Sequence, residues 1–247
     1  HSSQYLNNDY ISILNKIPLQ LLFIEKLEGT LEDYILHSKV DSNVLLSCIF
    51  QISFALNYLQ KYFKFTHNDL HISNVMYSTT DRKYLYYKIN NKYFKIPTYG
   101  KIFKIIDFGR SIFTYNKKIY MNDVFSKNSE AWGQFYYPPQ VNFLTSFDKH
   151  TPQIQPNYNF DLCRLAMTIL EEINVDELNK NVYHFLNNMC IDRNGDNFCT
   201  MDDDFSLYIK ISKNAINSKP TDIINNKIFK QYRVTKKNFP NKLYYSI

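Results

Sequence analysis

Three oxygen-bearing side chains, Asp69, Asn74 and Asp107, stand in contexts that could do chemistry together. Asp69 and Asn74 lie five positions apart in Thr66-His67-Asn68-Asp69-Leu70-His71-Ile72-Ser73-Asn74-Val75-Met76. Asp107 follows in Ile105-Ile106-Asp107-Phe108-Gly109, where Gly109 releases the chain into a turn. A carboxylate ionised at neutral pH can accept a hydrogen bond from a hydroxyl group and orient it for attack. A carboxamide oxygen and a second carboxylate are hard donors suited to Mg²⁺, which takes its remaining ligands from water and phosphate. One orienting acid and two metal-binding oxygens are the inventory that phosphoryl transfer requires.

The segments around these residues carry the signals of elements able to position them. Leu45, Ile49, Ile52, Leu56 and Leu59 recur at four- and three-residue steps and predict a core-facing helix that opens at Asp41 or Ser42. That helix ends near residues 61–65, just before His67, and so gives the loop a rigid base. Val75-Met76-Tyr77 and Ile102–Ile106 read as strands, with a hairpin between them formed by Tyr84–Ile89 and Lys92–Ile96 around Asn90-Asn91. Upstream, Pro18 to Leu27 reads as a buried strand ending in a turn at Glu28-Gly29. Thr30 then caps a helix, with Asp33 completing a capping box and Leu31, Tyr34 and Ile35 on the apolar side. From Arg110 to about Gln155 the sequence is irregular, broken at Pro138-Pro139 after Trp132-Gly133, and a stretch of that kind is expected to be functional or mobile. Helices are expected over Phe160–Ile173, Tyr183–Met189 and Phe205–Asn217. Asp192, Asn194 and Asp196 imitate a calcium loop, but Asn197 and Asp203 occupy the places where such a loop needs Gly and Glu.

Composition narrows the class further. The chain of 247 residues is one medium domain, or one large lobe with fragments, long enough to bury a core. Abundant Asn, Lys, Ile and Tyr with only five glycines reads as a coding bias of the source. The formal charge of +6 is spread along the chain, and its nearest approach to a cluster is Lys230, Arg233, Lys236, Lys237 and Lys242. Read as a solvated face, this distribution argues against a nucleic-acid partner. Cys48, Cys163, Cys190 and Cys199 form no C-x-x-C pair, so neither a disulfide scaffold nor a zinc site is implied, and a reducing, cytoplasmic setting is expected. No apolar run looks long enough to cross a bilayer and no signal peptide is evident, so no membrane partner is expected. From the start at His1 instead of Met, the chain is expected to be a piece of a longer product.

The pattern H-x-D-L-x-x-x-N followed by D-F-G resembles the catalytic half of the protein-kinase-like superfamily. The resemblance implies an α+β fold: a mainly helical carboxyl-terminal lobe over 30–247 with short β-hairpins around the catalytic loop. Residues 1–29 would be a remnant of an otherwise largely absent amino-terminal lobe and its hinge. It implies ATP and Mg²⁺ as cofactors and a serine or threonine of a protein as acceptor. Asp69 would be the catalytic base, and Asn74 and Asp107 would be the metal ligands. His67 and Phe108 would pack structurally, and Gly109 would make the turn. Asp161 would accept hydrogen bonds from the catalytic-loop backbone, or else be a plain helix-start acid. The Glu25 carbonyl and Leu27 amide would meet the adenine above Met76, unless that segment is an ordinary buried strand.

Two departures blur the acceptor. Most protein kinases have Arg where this chain has Asn68, and Lys where it has His71. The D-L-H-x-x-N form is similar to haspin-like kinases, aminoglycoside and choline-type kinases and kinase-like proteins of large DNA viruses. A small-alcohol kinase, or a non-catalytic interaction module, is therefore the alternative, and the setting extends to a virion or an infected host cell. No glycine-rich phosphate loop precedes the hinge, so this chain alone is expected to be a weak or inactive enzyme.

Overall fold

The computed structural model describes residues 23–135, 156–201, 205–241 and 243–247, and the backbone of 2–6 and 9–13. Pro18–Leu22, Pro138-Pro139-Gln140 with the rest of the irregular stretch beyond Phe135, Asp203 and Lys242 lie outside the described residues. Strands β1 (Ser2–Leu6) and β2 (Asp9–Ile13) form an antiparallel hairpin with Ser2 opposite Ile13.

The expected buried strand over Phe23–Leu27 is not formed. These residues have no regular structure, and Phe23 and Ile24 are 91% and 75% exposed. An apolar run becomes a strand only where a neighbour can pair with it. Here pairing begins later, at Glu28 N–H to Tyr77 O (2.9 Å), and continues through β3 (Gly29–Thr30). Thr30 then caps α1 (Leu31–His37): its Oγ1 accepts from Asp33 N–H at 2.9 Å and its own N–H donates to Asp33 Oδ2 at 3.0 Å.

Helix α2 (Ser42–Phe63) is the centre of the core. Asp41 caps its start by accepting from Asn43 N–H, and Lys64 ends it in the left-handed region at φ 50°. Leu45, Ile49, Ile52 and Leu56 are buried as the spacing predicts, and the Phe50 ring meets Tyr87, Phe94 and Phe229 at 5.3, 5.0 and 5.2 Å. One expectation is corrected here: at 22 residues and a mean hydropathy of 1.3, α2 is long and apolar enough to cross a membrane. With 72% of its apolar window buried it serves instead as a core helix.

Strands β4 (Val75–Thr79), β5 (Tyr84–Ile89), β6 (Lys92–Pro97) and β7 (Lys101–Ile105) follow. β3, β4 and β7 make one antiparallel sheet in that order, and the β5–β6 hairpin is inserted between its last two strands. The irregular stretch after Arg110 contains a hairpin the sequence reading missed, β8 (Phe113–Tyr115) and β9 (Lys118–Tyr120). Its turn is Asn116-Lys117, both at positive φ.

Helices α3 (Phe160–Glu172), α4 (Lys180–Met189), α5 (Phe205–Asn214) and α6 (Pro220–Ile224) fill the second half, with α3 against α4 and α2 against α6. α5 stops three residues short of expectation, and α6, unforeseen, has Pro220 in its first turn. β10 (Arg233–Val234) and β11 (Tyr245–Ser246) border the hairpin, giving a second sheet in the order β10-β6-β5-β11.

Candidate active site

The loop from Thr66 to Asn74 is pinned from below by α3. Asp161, fully buried in the first turn of that helix, accepts from His67 N–H at 3.0 Å and from Asn68 N–H at 2.9 Å. Burial pushes the Asp161 carboxyl above the ordinary carboxylate range, against the pull of His67 and the two amides. Of the two readings open for this residue, the loop-holding one describes its contacts.

His67 ties the loop to the strand that carries Asp107. Its Nε2 donates to Ile106 O at 2.8 Å, while Asp69 N–H donates to Nδ1 at 3.3 Å. A carbonyl can only accept and an amide can only donate, so the ring carries its proton on Nε2. Phe108 lies 5.6 Å from the His67 ring and 6.0 Å from Phe65, with 53% of its surface exposed.

Asn74 closes a short 3-10 turn, Ile72–Asn74, and makes the decisive ties. Its Nδ2 donates to Asp69 O at 2.9 Å and to His71 Nε2 at 3.0 Å, and its backbone carbonyl accepts from Ile106 N–H at 3.0 Å. Val75 sits opposite Ile105 in the β4–β7 ladder, so Asn74 and Asp107 leave adjacent strands side by side. Burial pulls the His71 imidazole below its ordinary value, against the opposing charge of Asp69, which leaves its Nε2 free to accept from Asn74. Asp107 turns through the left-handed region at φ 57°, and its Oδ1 accepts from Gly109 N–H at 3.2 Å. A Cβ at Gly109 would lie 3.2 Å from that same oxygen, so a larger residue there would press on the Asp107 carboxylate.

Two oxygens are left over. Among the described residues, Asn74 Oδ1 and Asp107 Oδ2 accept no hydrogen bond. An amide oxygen just before β4 and a carboxylate oxygen just after β7 are donor types suited to a hard cation that keeps several waters. No group of three His, Cys, Asp or Glu side chains able to hold a metal occurs among the described residues. The Asp192 loop makes its own turn instead: Asp192 Oδ1 accepts from Asn194 N–H at 2.7 Å and from Asp196 N–H at 3.0 Å.

Asp69 has partners that the sequence reading missed. Tyr208, on α5, donates its hydroxyl to Asp69 Oδ1 at 3.1 Å, and Arg110 Nη1 stands 3.5 Å from the same oxygen. Arg110 also pairs with Glu130, and Asn68 Nδ2 donates to the Arg110 carbonyl at 2.9 Å. Two guanidinium groups stand near the Tyr208 ring, Arg110 at 5.7 Å and Arg164 at 5.2 Å from its centre. Arg110 directly follows Gly109, so the loss of cations at Asn68 and His71 was a reason to look for one there. Tyr208 is 139 residues from Asp69 and gives no local signal.

Met76 lies on β4, the central strand of the β3-β4-β7 sheet, and Glu25 and Leu27 lie in the irregular segment that leads into β3. Met76 pairs with Thr30 on one side and Lys104 on the other, and Lys104 reaches Glu25 Oε2 at 2.5 Å. Among the described residues, the Glu25 carbonyl and Leu27 N–H make no backbone hydrogen bond.

Comparison with known proteins gives first a class: over part of its length the chain is similar to serine/threonine kinases. One relative is a putative serine/threonine-protein kinase of Acanthamoeba polyphaga mimivirus, 32% identical over 120 residues, covering 43% of this chain and 30% of that protein. Another is a probable serine/threonine-protein kinase of Dictyostelium discoideum, 37% identical over 91 residues, covering 34% of this chain and 8% of that protein. The matches thus span under a third of the first relative and under a tenth of the second. No protein-family model matches.

Proposed function

We propose that the chain is the carboxyl-terminal catalytic lobe, of protein-kinase-like fold, of an ATP- and Mg²⁺-dependent phosphotransferase acting on serine or threonine hydroxyls of a protein. The observation that carries this reading is the set of ties around Asn74. They bring the carbonyl of Asp69, the Asn74 amide and the strand end bearing Asp107 onto adjoining backbone.

In this reading Asp69 accepts a hydrogen bond from the acceptor hydroxyl and orients it. Asn74 Oδ1 and Asp107 would hold Mg²⁺, which when bound neutralises charge on the phosphates. Arg110 supplies beside Asp69 the positive charge that His71 does not. His67 and Asp161 hold the loop and take no part in proton transfer. The Glu25 carbonyl and Leu27 N–H would meet the adenine edge over Met76. The four free thiols accord with a reducing intracellular setting, the cytoplasm or an infected cell.

The test is transfer of radiolabelled phosphate from ATP to generic protein and to small alcohols, in the full-length protein. Transfer to protein is the expected result. Transfer to small alcohols alone would move the assignment to an aminoglycoside or choline-type kinase, the alternative that His71 favours. Transfer to neither class would leave a pseudokinase. Asp107→Ala should abolish Mg²⁺-dependent nucleotide binding by calorimetry, and parental affinity in that variant would overturn the metal assignment.

A further inference from the structure

The basic residues that look scattered along the sequence are gathered by the fold. Residues 82–101, with β5 and β6, and residues 227–247, with β10 and β11, hold twelve of the twenty-nine lysines and arginines. They hold none of the twenty-three aspartates and glutamates. The two segments are far apart in the chain but pair into one sheet, β10-β6-β5-β11, and Phe239, packed on Tyr86 and Tyr93, brings the turn that carries Lys236 and Lys237 to the side that bears Lys88 and Lys95.

That face is also aromatic. Alternation along the hairpin buries Leu85, Tyr87, Ile89, Phe94 and Ile96 and turns Tyr84, Tyr86, Lys88, Tyr93 and Lys95 outward. The register sets tyrosine against lysine, with Tyr86 opposite Lys95 and Lys88 opposite Tyr93. Lys95 Nζ lies 3.9 Å from the Tyr84 ring centre, and Phe239 packs at 4.9 Å from Tyr93 and 5.1 Å from Tyr244. Next to this cluster is a pocket of 530 Å³ whose walls include Arg82, Lys83, Tyr84, Tyr86, Tyr244 and Tyr245. Tyr84, Tyr244 and Tyr245 remain 40%, 39% and 45% exposed.

We propose that this face binds single-stranded nucleic acid, with phosphates on the lysine and arginine side chains and bases stacked on tyrosine rings in the Arg82–Tyr244 pocket. A polyanion is favoured because no carboxylate on these segments repels it. Exposed rings beside cations serve splayed bases, which stack on aromatic side chains, whereas a duplex hides its base faces. The proposal uses none of the residues of the candidate active site and does not depend on the kinase reading.

The test is fluorescence anisotropy of the 247-residue chain with a labelled oligouridylate of about sixteen nucleotides, the upper range for a single binding fold. A duplex of equal length and vesicles containing phosphatidylserine serve as competitors. The single strand should bind at least about tenfold tighter than the duplex, with log K falling by ~0.7 per phosphate contact in log salt. Tyr84→Ala should weaken binding by about 5- to 100-fold and leave the salt slope unchanged, while Tyr84→Phe should restore it. Lys236→Glu with Lys237→Glu, both exposed on the turn before Phe239, should weaken binding and flatten the slope. Circular dichroism and melting of the variants should match the parent, since all three positions are exposed. No binding at low salt, equal affinity for the duplex, or displacement by vesicles with Tyr84→Ala inert would each overturn the proposal.

Discussion

Alanine at Asp69 should lower phosphoryl transfer by about 10²- to 10⁴-fold, with nucleotide affinity close to the parent's. The geometry makes this the most damaging single change for the rate. Tyr208 and Arg110 both load Oδ1 of Asp69, and among the described residues Oδ2 has no partner, leaving one oxygen for the acceptor hydroxyl. In the proposed mechanism the metal would be held by Asn74 and Asp107 instead, and Asn74 is held by the Asp69 backbone carbonyl, which alanine retains. Loss should therefore appear in kcat and not in nucleotide binding. Single-turnover kinetics in the full-length protein, with calorimetry for the nucleotide, separates the two. An unchanged rate would remove Asp69 from the mechanism, and an equal loss of affinity would make it a metal ligand.

The parts of this site that were legible in the sequence are those set by short-range rules. The five-residue interval from Asp69 to Asn74, the Thr30–Asp33 capping box, the stripe on α2 and the Asn90-Asn91 hairpin each follow from local backbone geometry. What escaped is long-range. The exposure of Phe23 and Ile24 depends on which strand stands next to them, and an apolar run carries no record of that. Tyr208 reaches Asp69 only because α5 packs against α3. Lys88 and Lys95 on the β5–β6 hairpin and Lys236 and Lys237 near the other end of the chain look dispersed until pairing of β10 with β6 and of β11 with β5 brings their segments together. Local pattern thus located the loop, but only the packing identified what surrounds its aspartate.

The stability counterpart of the Asp69 prediction is Asp161→Ala, which should lower unfolding free energy by about 2–6 kcal/mol, from two buried donors at roughly 1–3 kcal/mol each. Asp161 is fully buried, and its two oxygens are the acceptors for His67 N–H and Asn68 N–H. No water can replace them without opening the loop, because His67 and Asn68 are themselves fully buried. Asp161→Asn should fall between the two, since a carboxamide offers one acceptor oxygen and sets an N–H donor against the other amide. Urea denaturation at neutral pH measures both variants. A loss below about 0.5 kcal/mol for alanine, the scale of an ordinary surface substitution, would mean that the loop is held from elsewhere and that Asp161 is only a helix-start acid. Release of the loop would act first on His67, whose ring bridges Asp69 N–H and Ile106 O and so links the Asp69 loop to the strand end bearing Asp107 alongside the ties made by Asn74. Activity should therefore be lost at denaturant concentrations that leave the α2 core folded.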